Sequence, residues 1–335
     1  MNELVSVIIP LFNRISFIEA TLASIAHQKY NHLEVIIIDD GSTDGSADYA
    51  ISVMDKCNLK GKVITIKNSG PDAARDFGIT RAKGSILAFL DSDDIWSPDY
   101  LEEMVNALNQ DDKYLWAFSD FYLTDARATP VAVKSKELKL IQTLLSNKLD
   151  VETYLISVNL FTYLLQEQPI FPSGLIIRRC LYDQMGTFTK HIQQRILSLE
   201  WEFMLRCAKA APVVYVQKPL VFIRKHEGNI SGALVKQEEG EIAVLQTVLN
   251  TYNLTHKEKR IVHSEIARRS WNVGYHYYLT NNSKLSRSWF IGSFNQKNSL
   301  TSVLFIVATY LPSSIKRTIR KVRKFCRPVP IQNDI

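Results

Sequence analysis

Apolar positions in the first 110 residues follow two alternating patterns. Residues 5–10 and 33–39 are short β-branched runs with almost no polar alternation, and the apolar runs 63–66 and 86–90 repeat the pattern. Such runs predict strands covered on both faces. Between the first two, Ile15, Ile18, Leu22, Ile25 and Ala26 recur at helical spacing, and residues 72–82 read as a second helix. Pro98 opens a third behind Ser97, with Leu101, Met104, Val105 and Leu108 on one face. Strands alternating with helices of this length predict an α/β protein with a doubly wound, mostly parallel, Rossmann-like sheet.

The rhythm fades from about 122 to 170, where Leu138, Ile141, Leu144, Leu145 and Leu149 suggest a helix. Residues 170–177 regain strand character, and a helix opens at Leu199-Glu200-Trp201. Residues 213–216 and 220–223 predict a hairpin turning at Lys218-Pro219. Beyond 235 the composition is helical, and the aromatic cluster at 271–278 reads as packing. Residues 299–311 form an apolar stretch shorter than the roughly 20 residues a membrane span needs. After Pro312, the residues Ile315, Ile319, Val322 and Phe325 share one helical face, flanked by Lys316, Arg317, Arg320, Lys321, Arg323, Lys324 and Arg327. That pattern suits a helix lying in an anionic membrane surface. The expected divisions are 1–232 (halves 1–121 and 122–232), a helical extension over 233–298, and a tail over 299–335.

Composition sharpens this in two respects. A hydrophobic share of 46% with 22% charged residues describes a folded globular chain. The net charge of +6 is local: residues 313–335 carry seven basic residues against one acid, Asp334, and the rest is balanced. A nucleic-acid surface spread over the body is therefore not expected. Four cysteines without paired spacing suit a reducing compartment, and no signal-peptide pattern is visible. The expected location is cytoplasmic, with the tail bringing the chain to the cytoplasmic face of a membrane.

Ligands of doubly wound sheets bind beyond the carboxyl ends of the strands. Three strands here end in chemistry-bearing loops: Pro10-Leu11-Phe12-Asn13, Asp39-Asp40-Gly41-Ser42-Thr43-Asp44 and Asp91-Ser92-Asp93-Asp94. The last follows five apolar residues. Clustered carboxylates repel one another and lose hydration when enclosed, so a divalent cation is the usual way to keep them ionised. A solvated acidic turn, with Ser97 capping the next helix, fits the same residues. The Gly-x-Gly-x-x-Gly fingerprint is absent after the first strand, which argues against a dinucleotide enzyme.

Taken in order, these motifs resemble the family 2 glycosyltransferases of GT-A fold. To them are added Asn68-Ser69-Gly70-Pro71-Asp72-Ala73-Ala74-Arg75-Asp76-Phe77-Gly78, Glu200-Trp201-Glu202 and Arg224-Lys225-His226-Glu227-Gly228-Asn229-Ile230-Ser231. The likeness runs over roughly residues 4–232. It implies inverting transfer of a sugar from a nucleotide donor, UDP-linked by preference, to a glycan or lipid-linked acceptor. It further implies Mn²⁺ or Mg²⁺ held by Asp93, with Asp91 and Asp94 sharing metal and ribose contacts. Asp40 would meet the base, Pro10 and Phe12 would line its pocket, and Arg75 would approach the sugar nucleotide. Glu200 takes the general-base position with Glu202 as the alternative, because Leu199 stands where the family carries an acid. His226 would complete the metal shell or touch the diphosphate. Two other readings stay open: a non-catalytic sugar-nucleotide-binding scaffold, and a nucleotidyltransferase. The latter would carry a Gly-rich cationic loop where Leu11-Phe12-Asn13-Arg14 stands.

Overall fold

The computed structural model describes residues 3–133, 147–150, 152–157, 159–192, 194–226, 234–311 and 315. The unbroken apolar runs become β1 (Val5–Leu11), β2 (Leu33–Asp39), β3 (Gly61–Thr65) and β4 (Ile86–Phe89). These lie parallel in the order β3-β2-β1-β4. They are joined through α1 (Ile18–Ala26), α2 (Ser46–Lys56) and α3 (Pro71–Ile79). Every residue of β1 is buried, which is why its sequence shows no polar alternation. Val5, Val7, Ile9 and Leu11 pack with Ile18, Leu22, Ile25, Val35 and Ile37 in one apolar cluster. On the opposite face α3 presses close through Gly78, where an added Cβ would come within 2.7 Å of Ile8.

Next come β5 (Ile95–Trp96), α4 (Tyr100–Leu108), β6 (Trp116–Thr124), β7 (Pro130–Val133), β8 (Asn147–Lys148), β9 (Thr153–Ile156) and α5 (Leu160–Leu164). A short 3₁₀ turn, Pro172–Gly174, leads into β10 (Leu175–Arg178), α6 (Arg179–Met185), α7 (Leu199–Ala210) and β11 (Val213–Arg224). The full order is β3-β2-β1-β4-β10-β6-β11-β9-β8, with β5 on β11 and β7 on β6. Strand β10 runs antiparallel to both β4 and β6, so β6 and its parallel neighbour β11 return to the direction of β1 to β4. The sheet is therefore mostly parallel with helices on both sides, as expected.

Three local expectations are corrected. The hairpin at Lys218-Pro219 is one continuous strand, β11, paired parallel to β6 on both sides of the proline. The register shifts at Pro219, because a residue without an N–H is accommodated at a ladder irregularity instead of a turn. Helix α4 begins at Tyr100 with Asp99 before it, not at Pro98, and Ser97 meets Tyr100 through its backbone carbonyl. The strand expected over 170–177 starts only at Leu175. Of the helix expected near 138–149, residues 138–146 lie outside the described residues, as does the basic helix from 316 onward.

The chain divides into two compact units, Met1–Gly232 and Ala233–Ile335. The second is built from α8 (Leu234–Thr251), α9 (His256–Leu279), α10 (Ser283–Gln296) and α11 (Leu300–Ala308). A capping box between Thr255 and Glu258 starts α9. Trp271 and Tyr275 stack at 5.1 Å, and Phe305 of α11 meets their ring edges, so the aromatic cluster is packing.

Candidate active site

The carboxyl ends of β1 and β2 are stitched together by short polar side chains. Asn13, in the left-handed region at φ 51°, accepts from the Thr43 N–H at 2.8 Å through its side-chain oxygen. Its own N–H donates to Ser42 Oγ at 2.9 Å, and the Ile15 N–H donates to Asp44 at 3.1 Å. Asp40 draws in a third loop. Its carboxylate accepts from the backbone N–H groups of Ser69 (2.6 Å) and Gly70 (2.8 Å), and its carbonyl accepts from Asn68 Nδ2 (2.8 Å). Gly70 takes φ +97°, which a side chain would resist. Phe12 is 40% exposed on this rim, whereas Pro10 is buried inside β1 opposite Ile38.

Helix α3 starts at Pro71 and buries Arg75 against two carboxylates. Nη1 donates to Asp72 at 2.7 Å and Nη2 to Asp91 at 2.5 Å, while Nε has no partner among the described residues. Burial opposes the guanidinium charge, but Asp91 and Asp72 outweigh it and raise its pKa. Glu200, in the first turn of α7, lies in the same field. Burial first and the Asp72 charge second push its pKa up to about 8, against the opposing pull of Arg75.

Asp93 makes a separate centre. Its Oδ2 accepts from Arg14 Nε at 2.9 Å and sits 3.1 Å from His226 Nε2. The imidazole is stacked on Phe17 at 4.1 Å, and the Arg224 guanidinium lies 5.0 Å from the same ring. Arg224 Nε also donates to the Asp93 carbonyl. Asp94, by contrast, is turned into the fold, where Ser173 Oγ (2.6 Å) and the Arg224 N–H (3.1 Å) contact its carboxyl group. Burial, then the charges of Asp93 and Asp91, drive its pKa well above the carboxylate range.

The residues expected as one metal cluster are thus divided among three tasks: Asp91 on Arg75, Asp94 inward, and Asp93 with His226. Among the described residues no group of three His, Cys, Asp or Glu is placed to hold a metal. The Asp93 and His226 pair nevertheless suits one kind of ion. Their side chains keep 12% and 8% exposure and converge on one point. A hard divalent ion that takes its other ligands from phosphate oxygens and water needs no more protein donors than this.

Glu202 is committed elsewhere. It accepts from Arg206 Nε at 3.0 Å and lies 2.8 Å from His191 Nδ1, and Arg206 continues to the carbonyls of Met185 (2.6 Å) and Thr187 (2.7 Å). Asp76 holds the same segment, accepting from Tyr182 Oη (2.9 Å), the Phe188 N–H (2.8 Å) and Thr189 Oγ1 (2.8 Å). Arg195 reaches back to donate to Asn68 Oδ1. Sequence reasoning missed Arg14, Asp76, Ser173 and Arg195 as site residues. Arg14, directly after the first rim loop, and Asp76, inside the 68–78 motif, carried a positional signal.

The mostly parallel α/β sheet, with aspartates and a buried arginine at its carboxyl edge, has the architecture of the GT-A fold. Residues 6–158 match the family described as Glycosyl transferase family 2. It is 32% identical over 157 residues to an uncharacterized glycosyltransferase of Haemophilus influenzae, covering 46% of this chain and 62% of that one. It is 37% identical over 131 residues to the putative teichuronic acid biosynthesis glycosyltransferase TuaG of Bacillus subtilis, covering 39% and 51%. The chain therefore spans about half to two-thirds of the length of these relatives. In fold it is similar to S. aureus TarS 1-349 in complex with UDP-GlcNAc, with TM-score 0.64, 15% identity, and coverage of 95% and 91%. It is also similar to the mannosyltransferase PcManGT of Pyrobaculum calidifontis in complex with GDP-Man and Mn²⁺, with TM-score 0.58, 14% identity, and coverage of 96% and 84%.

Proposed function

We propose that this protein is an inverting glycosyltransferase that moves a sugar from a UDP-linked donor to a glycan or lipid-linked acceptor. The observation that carries the reading is that Glu200 lies in the electrostatic field of Asp72, Arg75 and Asp91, with Arg75 paired to Asp91 and His226 set against Asp93. The similar proteins support it: TarS is in complex with UDP-GlcNAc, PcManGT is in complex with GDP-Man and Mn²⁺, and TuaG is a putative teichuronic acid biosynthesis glycosyltransferase. Work at the cytoplasmic face of a membrane belongs to the same reading, supported by the charge concentrated in residues 313–335.

Asp93 and His226 would hold Mn²⁺ or Mg²⁺, which when bound neutralises charge on the leaving diphosphate. Asp91 keeps Arg75 oriented, with its remaining capacity open to the donor ribose. Arg75 is a fixed cation on the same rim, so it needs no reorientation as negative charge develops. Glu200 accepts the proton of the acceptor hydroxyl. The freed oxygen bonds to the anomeric carbon from the face opposite the diphosphate, which departs with the electron pair of the broken C–O bond. Glu202 is unsuited to this task because Arg206 and His191 already occupy its oxygens.

The test is turnover of UDP-sugars with Mn²⁺ by the wild type, Asp93→Asn and Glu200→Gln. Metal-dependent release of UDP that falls about 10²-fold or more in both variants is expected. Donor binding with no turnover in the wild type would instead favour the scaffold reading, and a triphosphate substrate would favour the nucleotidyltransferase.

A further inference from the structure

We propose that the outward face of α11 seats the C-terminal unit on an anionic lipid bilayer. The proposal deepens the membrane-surface part of the function given above, rests on that part, and uses none of the site chemistry. Helix α11 is apolar nearly all round, in the sequence Leu-Thr-Ser-Val-Leu-Phe-Ile-Val-Ala. A helix of that kind is normally covered on every side. Here one side is covered: Phe305 lies 5.5 Å from Trp271, 5.3 Å from Phe290 and 5.5 Å from Tyr278, and Ser302 and Ala308 are buried. The other side is open. Leu300 is 75% exposed, Val303 38%, Leu304 60%, Val307 56% and Tyr310 67%. Steps of three and four residues place these five on one stripe.

Length and charge decide what covers the stripe. Nine residues of helix extend about 14 Å, roughly half the hydrocarbon thickness of a bilayer. Among the described residues no helix is long and apolar enough to cross a membrane. The stripe can therefore lie in the surface without spanning it. At its end the Arg287 guanidinium sits 3.5 Å over the Tyr310 ring, an aromatic and cationic pair suited to the headgroup level. Beyond it the sequence places seven basic residues against one acid in 313–335. That excess matches anionic headgroups, and it would repel a second copy bearing the same charge.

The experiment is flotation of the full chain with neutral phosphatidylcholine vesicles and with vesicles containing phosphatidylglycerol, at low and high salt. Two variants accompany it. Leu304→Glu with Val307→Glu alters exposed positions only, so an unchanged melting temperature and unchanged UDP-sugar turnover in solution are expected. Replacing Lys316, Arg317, Arg320 and Lys321 by Gln removes charge alone. The wild type should float with anionic vesicles only, release at high salt, and lose about tenfold or more of its partition in either variant. Equal flotation of wild type and the double Glu variant overturns the proposal, and so does absence of wild-type flotation. A concentration-dependent dimer, seen by light scattering and abolished by the Glu variant without vesicle binding, assigns the face to a second copy and overturns it too. Absent turnover with intact flotation overturns the enzyme reading and leaves this one standing.

Discussion

Two side chains at the rim are poised by their neighbours in ways that solution measurements can read. Glu200 accepts a proton only when ionised, and its carboxyl is pushed up to about 8 by burial and by Asp72. Activity carried by the ionised form rises with pH and levels off once the group has titrated. Because kcat/KM reports the free enzyme, it should climb about tenfold per unit below pH 8 and flatten above. Glu200→Gln should remove that limb along with most of the rate. A profile that stays flat from pH 6 to 9 would exclude Glu200 as the base. Arg14 poses a separate question, because its Nε and His226 converge on the same Asp93 oxygen. A divalent ion on that oxygen competes with the guanidinium for the same negative charge. Arg14→Met should then tighten Mn²⁺ binding at saturating UDP by about tenfold, the scale of one charge-assisted hydrogen bond. Paramagnetic resonance of free Mn²⁺ measures this directly, and unchanged affinity would mean that Arg14 does not compete.

At the level of elements, the segment between α6 and α7 is held by carboxylates that sequence reading assigned no such task. Asp76 accepts from three residues, Tyr182, Phe188 and Thr189. Asp76→Ala leaves buried donors without an acceptor, a loss of about 3 kcal/mol expected from the urea midpoint at unchanged slope. If stability stays within about 0.5 kcal/mol, these bonds are replaced by water and the segment is not anchored there. The contrast with residues 1–121 explains what was legible. Strands β1, β2 and β4 declare themselves because they are largely buried on both faces, whereas β3, at the sheet edge with no buried residue, shows only as a short Val-Ile run. The motif residues Asp40, Asp91 and Asp93 follow the ends of β2 and β4, and Arg75 lies in α3. Strand β10 was only half legible, since it inserts between β4 and β6 from far along the chain. Pro219 was misread because a proline inside a strand carries the same local signal as a turn. Ser173 joins Asp91 and Asp94 only after β10 is in place, so no local pattern could announce it.

For the molecule as a whole, the two compact units offer separate places for a ligand to act. Each has its own apolar centre, one around β1 and α1 and the other around Tyr278, Phe290 and Ala308. A ligand stabilises only what must unfold to release it, by RT ln(1 + [L]/Kd), or about 2.7 kcal/mol at a hundredfold excess over Kd. Among the described residues only Asp93 and His226 converge, so under the proposed function Mn²⁺ alone should gain little and UDP should supply the missing ligands. Hydrogen exchange should therefore slow in the amides of β1, β2 and β4 when UDP and Mn²⁺ are added together, and change little with either alone. Exchange in α9 should stay as it was, since its protection depends on the packing of Trp271, Tyr275 and Phe290. Equal slowing in α9 would mean that the two units open as one cooperative body. Slowing with Mn²⁺ alone would mean that the metal finds a full set of protein ligands without the nucleotide. The three patterns differ in which peptides move and with which addition, so one experiment separates them.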